Sequence, residues 1–260
     1  MICGIDLGSR SVKLVLLAEG TVAAEKVLET VDFYRTYGRR SEGELAIDFA
    51  ALGLGAVDEV VATGYGRNTL DIANATVIPE LKAHALGAVW QTGMKDFTLL
   101  DLGGQDSKVI KVRRGRMVDF QTNDKCAAST GRYLENMAAV LGISLDELSR
   151  YSENPVELSA TCAIFGESEL IGRIVEGYSV AELAAGVNYT IFKRVRPMLA
   201  ALPSETVVFT GGVALGGALR RIIEQEMGTR VVVPERPQLN GAIGAAVYAW
   251  EKREKYVARN

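Results

Sequence analysis

The stretch Leu99-Leu100-Asp101-Leu102-Gly103-Gly104-Gln105-Asp106-Ser107-Lys108-Val109-Ile110 decides the fold, because its pattern occurs twice in this chain. It aligns without gaps with residues 4–15. The matched pairs are Asp6 and Asp101, Leu7 and Leu102, Gly8 and Gly103, Lys13 and Lys108, and, further on, Glu19-Gly20 and Arg114-Gly115. Each copy places a glycine turn between two apolar segments, which predicts a strand, a tight turn and a second strand. Two copies in the same register predict a duplicated domain.

The segments around these turns alternate between strand and helix patterns, so an α/β fold is expected. Beyond the duplicated hairpins, strands are predicted at residues 21–31, 57–63 and 207–210. Helices are predicted at residues 46–54, 79–89 and 240–255, and after each of two cysteines. The polar segment 33–44 is predicted to be a loop.

The two aspartate–glycine turns, and a third glycine turn at Thr210-Gly211-Gly212, are suited to binding a nucleotide. Glycine lets the backbone approach a phosphate closely, and successive amides form an anion cradle. An aspartate beside each cradle can hold hydrated magnesium against phosphate oxygens. Taken singly, each turn is more typical of an ordinary hairpin or strand–helix turn.

Two cysteines precede segments with helical periodicity. Cys126 lies in Asn123-Asp124-Lys125-Cys126-Ala127-Ala128-Ser129-Thr130-Gly131-Arg132, and Cys162 follows Ser159-Ala160-Thr161. The amides and dipole of a helix start stabilise a thiolate, so this pair suits an iron–sulfur cluster. Spacing alone leaves open the alternative that both are small, buried apolar residues. Cys3, inside the first predicted strand, is interpreted as a core residue.

Composition excludes several classes of protein. The chain has 260 residues and a net charge of −3, which argues against general nucleic-acid binding. No apolar run reaches transmembrane length and the start resembles a strand rather than a signal peptide, so a cytoplasmic protein without a membrane partner is expected. The single histidine, His84, excludes histidine-based zinc sites and a Ser-His-Asp triad. Three cysteines are too few for a disulfide framework.

Three motifs resemble the phosphate and adenosine motifs of the actin, sugar-kinase and chaperone ATPase superfamily: Asp6-Leu7-Gly8-Ser9, Asp101-Leu102-Gly103-Gly104 and Thr210-Gly211-Gly212. Residues 62–67, 101–106, 123–128 and 240–242 are more specifically similar to activators of 2-hydroxyacyl-CoA dehydratases and the related ATPase subunits of benzoyl-CoA reductases. The resemblance extends over residues 5–248, and Asn-Asp-Lys-Cys-Ala-Ala is its most specific part. The chain departs from the family pattern at Arg10, Val12, Ser129 and Leu215-Gly216.

The resemblance implies a fold and a domain organisation. The expected fold is α/β, with two duplicated actin- or sugar-kinase-like domains of the ribonuclease H-like type and a nucleotide cleft between them. The first domain is expected to comprise residues 1–96 with the C-terminal helix 241–260. The second, residues 97–240, is expected to carry the cluster cysteines.

The resemblance also implies an activity, ATP hydrolysis coupled to low-potential transfer of single electrons. A homodimer would share one 4Fe-4S cluster, with each subunit contributing the residues matching Cys126 and Cys162. Ferredoxin or flavodoxin would donate the electron. The acceptor would be an iron–sulfur dehydratase, a reductase component or a double-cubane cluster protein. A small-molecule kinase and a metal-free ATPase switch remain as alternatives, although no substrate lobe or carboxylate base for a kinase is evident.

The same motifs suggest roles for individual residues toward ATP or ADP and Mg²⁺. Asp6 and Asp101 would bind magnesium. The remaining nucleotide contacts are expected from Gly8, Ser9, Gly103 and Gly104 at the phosphates and Gly211, Gly212 and Val213 at the adenosine. Catalysis would involve Asp101 and Gln105, with Gln105 orienting the attacking water or serving only as part of the cradle. Lys13 would contact a phosphate or form an ion pair with Asp6 or Asp101. Arg10 would contact a phosphate, the partner protein or solvent.

Overall fold

The computed structural model describes residues 1–41, 44–64, 74–123, 130–159 and 163–257. The chain forms two compact units. The first comprises Met1–Lys95, Arg114–Met117 and Gln238–Asn260, and the second comprises Asp96–Arg113 and Val118–Pro237. Across the described ranges, no helix is both long enough and apolar enough to cross a membrane.

The secondary structure alternates between strands and helices, as expected for an α/β protein. The strands are β1 (Ile2–Leu7), β2 (Ser11–Ala18), β3 (Thr21–Glu29), β4 (Gly38–Ser41), β5 (Glu44–Ile47), β6 (Glu59–Thr63), β7 (Ala75–Val77), β8 (Phe97–Leu102), β9 (Ser107–Arg113), β10 (Arg116–Asn123), β11 (Thr206–Thr210) and β12 (Arg230–Val232). The helices are α1 (Thr30–Tyr37), α2 (Glu80–Thr92), α3 (Gly131–Leu141), α4 (Leu145–Leu148), α5 (Ala163–Val175), α6 (Val180–Ala201), α7 (Ala218–Met227) and α8 (Asn240–Val257).

The two main sheets share one topology, which confirms the duplication predicted from the sequence. Their strand orders are β3-β2-β1-β6-β7 and β10-β9-β8-β11-β12. Strands β1 and β8 occupy the centre of their sheets; each is antiparallel to the next strand in the chain and parallel to β6 or β11. Asp6 pairs with Lys13 in the first hairpin, and Asp101 pairs with Lys108 in the second. The predicted alignment is therefore also the alignment of the strand registers.

The turns that follow these hairpins are equivalent as well. Glu19 and Gly20 have φ angles of 48° and 75°, and Arg114 and Gly115 have φ angles of 50° and 72°. Positive φ at both central residues is typical of a type I′ turn, whose twist suits a two-residue hairpin.

Strands β1 and β2 of the first sheet are buried on both faces, whereas the edge strand β3 is not. Successive side chains of a strand point to opposite sides of the sheet. Val15 and Leu17 of β2 belong to one apolar cluster, with residues of α8. Leu14 and Leu16 belong to another, which includes Cys3. Cys3 is fully buried, so its predicted core position is confirmed.

Helix α8 approaches β1 and α2 so closely that only glycine fits at the contacts. A Cβ atom at Gly4 would lie 2.0 Å from the Ala242 carbonyl oxygen, and one at Gly244 would lie 1.7 Å from the Ala83 carbonyl oxygen. These contacts confirm that the small residues at the start of this helix permit close packing.

Gly244→Ala is expected to lower the free energy of unfolding by about 3 kcal/mol, because the added methyl group would overlap the backbone of α2. Gly172→Ala is the matched control: it is also a helical glycine, and a Cβ there would meet nothing within 4 Å. The control should raise stability by about 0.5–1 kcal/mol, since alanine favours a helix more than glycine does. Urea titration of both variants measures the difference, and similar values for the two would contradict this packing.

Two predicted elements were wrong. The predicted loop 33–44 is the helix α1 followed by the hairpin of β4 and β5. Phe33, fully buried, lies on α1 with its ring centroid 6.2 Å from that of Tyr37, and the polar residues between these aromatics obscured the helical spacing. The predicted helix 46–54 is also wrong, because Ala46 and Ile47 pair with β4 and Gly53 adopts a φ of 66°.

Candidate functional site

The first aspartate–glycine turn places a buried carboxylate at the end of β1. Asp6 is 4% exposed, and its Oδ2 lies 3.4 Å from Lys13 Nζ. A Cβ at Gly8 would lie 2.7 Å from the Ser11 carbonyl oxygen and 2.8 Å from Lys13 Nζ, so the turn requires glycine. Ser9 is exposed beside it. Of the two alternatives for Lys13, the ion pair with Asp6 is present.

Residues at the start of α1 hold this turn in place. The Thr30 hydroxyl donates to the Gly8 carbonyl oxygen at 2.8 Å, and the Thr30 N–H donates to the Arg10 carbonyl oxygen at 3.3 Å. The Arg10 guanidinium forms an ion pair with the Glu29 carboxylate. Sequence reasoning missed Thr30, because nothing in its local pattern indicates a contact with a turn twenty residues earlier.

Two glycines bracket the Asp6 carboxylate. A Cβ at Gly64 would lie 2.6 Å from Asp6 Oδ1, and one at Gly241 would lie 3.0 Å from Asp6 Oδ2. Gly64 follows β6 with a φ of 96°, and Gly241 belongs to the first turn of α8. Any side chain at either position would displace the carboxylate, so these glycines determine where it lies.

The start of α8 is in turn anchored by a buried polar network. The Asn240 side-chain amide donates to the His84 carbonyl oxygen at 2.9 Å, and its Oδ1 accepts from Gln91 Nε2 at 3.0 Å. His84 and Asn240 are 5% and 0% exposed. His84, predicted to be structural, thus helps to fix the helix whose first turn contacts Asp6.

The second aspartate–glycine turn has the same backbone arrangement but different partners for its carboxylate. Asp101 is 2% exposed, and its Oδ1 accepts a hydrogen bond from the Thr210 hydroxyl at 2.7 Å. Lys108 Nζ lies 3.9 Å from Asp101 Oδ2 and 2.5 Å from Asp106 Oδ2. Gln105 is exposed in the turn, a position from which it can reach a ligand.

The third glycine turn packs directly on the second. Gly211 has a φ of 90°, and a Cβ there would lie 2.2 Å from the Leu102 carbonyl oxygen. Gly212, exposed, and Val213, half-buried, begin a 3₁₀ turn over Gly212–Leu215. In the second sheet Thr210 is therefore followed by a left-handed glycine, as Thr63 is in the first. This correspondence was not found from the sequence.

The N-terminus of α3 is hydrogen-bonded to the second turn. The Gly131 N–H donates to the Gly103 carbonyl oxygen at 2.9 Å, and the Arg132 N–H donates to the Gly104 carbonyl oxygen at 3.0 Å. The first amides of a helix have no partner within it, so these carbonyls satisfy two of them. The predicted phosphate cradle and the start of α3 are thus joined by two backbone hydrogen bonds.

The two predicted cluster ligands, Cys126 and Cys162, lie outside the described residues. The helices predicted after them are present: α3 begins at Gly131 and α5 at Ala163. Burial raises the pKa of the Cys3 thiol to about 12, so this cysteine stays protonated and is a poor metal ligand.

Each unit thus presents a buried aspartate, a half-buried glycine turn with one exposed residue, Ser9 or Gln105, and a lysine paired with a carboxylate. Hard carboxylate oxygens are the ligands magnesium prefers, and a turn open to close approach suits phosphate. The residues present therefore fit the magnesium–phosphate part of a nucleotide.

Comparison with known proteins agrees with this chemistry. A profile of the BadF/BadG/BcrA/BcrD ATPase family matches residues 3–249. The (R)-2-hydroxyglutaryl-CoA dehydratase activating ATPase of Acidaminococcus fermentans is 37% identical, over 97% of this chain and 98% of that protein. A benzoyl-CoA reductase subunit from Thauera aromatica is 30% identical, over 97% of this chain and 94% of that protein.

Solved structures confirm the predicted fold class. The activator of the 2-hydroxyisocaproyl-CoA dehydratase from Clostridium difficile with bound ADPNP matches with a TM-score of 0.84 at 33% identity, over 100% of this chain and 97% of that chain. MreB 5 of Spiroplasma citri bound to AMPPNP matches with a TM-score of 0.58 at 12% identity, over 100% and 98%, which shows a shared fold alone. With its duplicated aspartate–glycine turns and a family match over nearly its whole length, the chain is an ATPase and belongs to the BadF/BadG/BcrA/BcrD ATPase family.

Proposed function

We propose that this ATPase activates an iron–sulfur partner enzyme by ATP-driven transfer of single electrons at low potential. The partner is a 2-hydroxyacyl-CoA dehydratase or a related reductase or double-cubane cluster protein, and ferredoxin or flavodoxin supplies the electron. The names of the relatives from Acidaminococcus fermentans and Thauera aromatica support this class of partner. Lowering the potential of one electron by about 200 mV costs roughly 5 kcal/mol, and differential binding of ATP to two conformations is of that size.

The observation that carries this proposal is the attachment of α3 to the second phosphate turn. The hydrogen bonds from Gly131 and Arg132 reach the carbonyls of Gly103 and Gly104, two residues assigned to the phosphate cradle. Helix α3 is also the first helix after Cys126 in the chain. A movement of the turn when phosphate is bound or released would therefore displace the start of α3. This gives a short covalent and hydrogen-bonded route from the nucleotide to a candidate cluster ligand.

The cysteine content supports a cluster shared by two chains. Of the three cysteines, Cys3 is buried within β1, which leaves Cys126 and Cys162 as thiolate donors. A 4Fe-4S cluster needs four thiolates, so two copies related by a twofold axis would supply them. When bound, the cluster would hold the transferable electron. The chain's contribution would be two thiolates that precede α3 and α5 in the sequence, and the dipole of a helix start favours added negative charge nearby.

Within the nucleotide site, MgATP is the substrate. We assign Asp6 and Asp101 to its magnesium ion and Gly8, Ser9, Gly103 and Gly104 to its phosphates. Gly211, Gly212 and Val213 contact the adenosine, and Gln105 orients the attacking water. Lys13 and Lys108 neutralise the two buried aspartates, since each lies within 3.9 Å of its carboxylate. Arg10 is held at the rim of the first turn by Glu29.

The exposed face of α5 supports the homodimer. Phe165, Ile171 and Val175 lie on one side of α5 and are 70%, 49% and 83% exposed, whereas Leu170 on the other side is fully buried. A helix that is apolar on both sides is usually covered by another surface. Because α5 begins directly after Cys162, a second copy joined at the cluster is the natural occupant of this face.

Phe165→Glu is expected to weaken the dimer on the order of a hundredfold, because it places a charge in an apolar contact. Tyr256→Glu is the matched control. Tyr256 is 73% exposed on α8, and its replacement should leave the dissociation constant of the dimer unchanged. Sedimentation of protein prepared without oxygen gives the dissociation constant. A Phe165→Glu variant that dimerises as tightly as the wild type would place the contact elsewhere.

The proposal as a whole is tested by purifying the protein without oxygen. Iron content, mass and ATP-dependent reduction of a 2-hydroxyacyl-CoA dehydratase component are then measured. A brown dimer with four irons that reduces this acceptor only with MgATP is expected. A colourless monomer that still hydrolyses ATP would instead favour a metal-free switch, and phosphorylation of a small molecule would favour a kinase.

A further inference from the structure

The two duplicated aspartates differ in one buried contact. Thr63 and Thr210 occupy the same position, since Thr63 pairs with Asp6 across β6 and β1, and Thr210 pairs with Asp101 across β11 and β8. Both threonines are fully buried. The Thr210 hydroxyl donates to Asp101 Oδ1 at 2.7 Å. The Thr63 hydroxyl instead donates to the Ile78 carbonyl oxygen at 3.1 Å.

This difference matters for the geometry of the carboxylates. A carboxylate rotates about its terminal torsion with little preference, so a partner must fix the plane of its oxygens. A short hydrogen bond from a rigid, β-branched threonine inside a sheet does this for Asp101. Asp6 has no equivalent bond from Thr63; among the described contacts its carboxylate lies against Lys13 and two glycines.

We propose that Thr210 is a positioning residue for ATP hydrolysis, because its hydroxyl holds the Asp101 carboxylate in the orientation that binds the magnesium of MgATP. This inference rests on the proposed role of Asp101. It also implies that the duplicated turns have unequal tasks: each aspartate lies beside a lysine, but only Asp101 is also oriented by a threonine hydroxyl. Partners that orient a metal ligand typically contribute about 10–100-fold to metal affinity or activity.

The test compares three variants with nearly the same volume. Thr210→Val removes the hydroxyl, Thr210→Ser keeps it, and Thr63→Val removes the equivalent hydroxyl in the first sheet. Thr210→Val should lower kcat and the apparent affinity for Mg²⁺ by about 10–100-fold. Binding of ADP without magnesium, measured by calorimetry, should stay within about twofold, because the hydroxyl acts on the metal ligand alone. Thr210→Ser should recover most of the loss, and Thr63→Val should behave as the wild type.

Three outcomes are distinguished by adding Asp101→Asn to the series. If Asp101→Asn is inactive but Thr210→Val is normal, Thr210 has no positioning role and the proposed function stands. If Thr210→Val and Thr63→Val lose activity and stability equally, the loss comes from removing a buried hydroxyl from either sheet. The inference is then overturned. If Asp101→Asn hydrolyses MgATP normally, the assignment of Asp101 fails first. Thr210→Ala, which adds no volume, gives the same comparison if the valine variant does not fold.

Discussion

Asp101→Asn is expected to lower magnesium-dependent ATP hydrolysis by about a hundredfold or more, which corresponds to roughly 3 kcal/mol of transition-state stabilisation. The physical reason is the loss of a negative oxygen from the proposed magnesium site, where a divalent cation would be held against phosphate. Asparagine has nearly the same shape, and its side-chain oxygen can still accept from the Thr210 hydroxyl that now bonds Asp101 Oδ1. The fold should therefore be retained.

Asp106→Asn is the matched control for this variant. Asp106 lies in the same turn and pairs with the same lysine, Lys108, at 2.5 Å, but its side chain is 26% exposed and no metal role is assigned to it. Its replacement should cost less than about tenfold, since asparagine keeps an oxygen that can accept from Lys108 and the carboxylate of Asp101 stays in place. Turnover, magnesium dependence and thermal unfolding are measured for both variants. Turnover of Asp101→Asn close to that of the wild type would remove this aspartate from the magnesium site.

Cys162→Ala is expected to abolish the intact iron–sulfur cluster and to weaken the dimer. Each chain supplies two candidate thiolates, so removing one from each chain leaves two donors of the four that the cluster needs. Metal binding adds free energy to the assembled state alone, so loss of the cluster should also favour the monomer. Iron content, visible absorption and mass of protein prepared without oxygen provide the measurement. Cys126→Ala should behave in the same way.

Cys3→Ala is the control for Cys162→Ala, because it removes a thiol that is not a candidate cluster ligand. Cys3 is fully buried in the first sheet, and its replacement should cost only about 1 kcal/mol of stability while the cluster remains. Four irons per dimer in the Cys162→Ala variant would show that Cys162 is not a ligand. The same result in Cys3→Ala is expected and serves as the reference.

The sequence by itself determined the duplicated fold and most of the residues around the nucleotide turns. Strand and turn patterns are local, and the apolar run from Val12 to Leu17, broken only by Lys13, is visible without knowing any partner strand. The spacing shared by the two copies matched Asp6 with Asp101 and Lys13 with Lys108, and the strand registers agree with that alignment.

The local sequence pattern predicted the wrong secondary structure where contacts with distant residues decide the conformation of a segment. Residues 33–44 are polar on average, yet Phe33 is buried against residues such as Leu52, and this contact selects the helix α1. The predicted helix 46–54 is likewise replaced by strand pairing with β4. Amphipathic spacing is weak evidence in so short a helix, since most helical stability comes from tertiary packing.

Only the tertiary structure decided how the candidate site is held together. The hydrogen bond between Thr210 and Asp101 joins residues 109 positions apart, and that between Asn240 and His84 joins residues 156 apart. The bonds from Gly131 to Gly103 and from Thr30 to Gly8 are also made between separate elements. Sequence patterns show which residues can bind magnesium and phosphate, because that depends on residue type. Which side chain orients a carboxylate depends on distances of about 3 Å between elements, and these exist only after the sheets have formed.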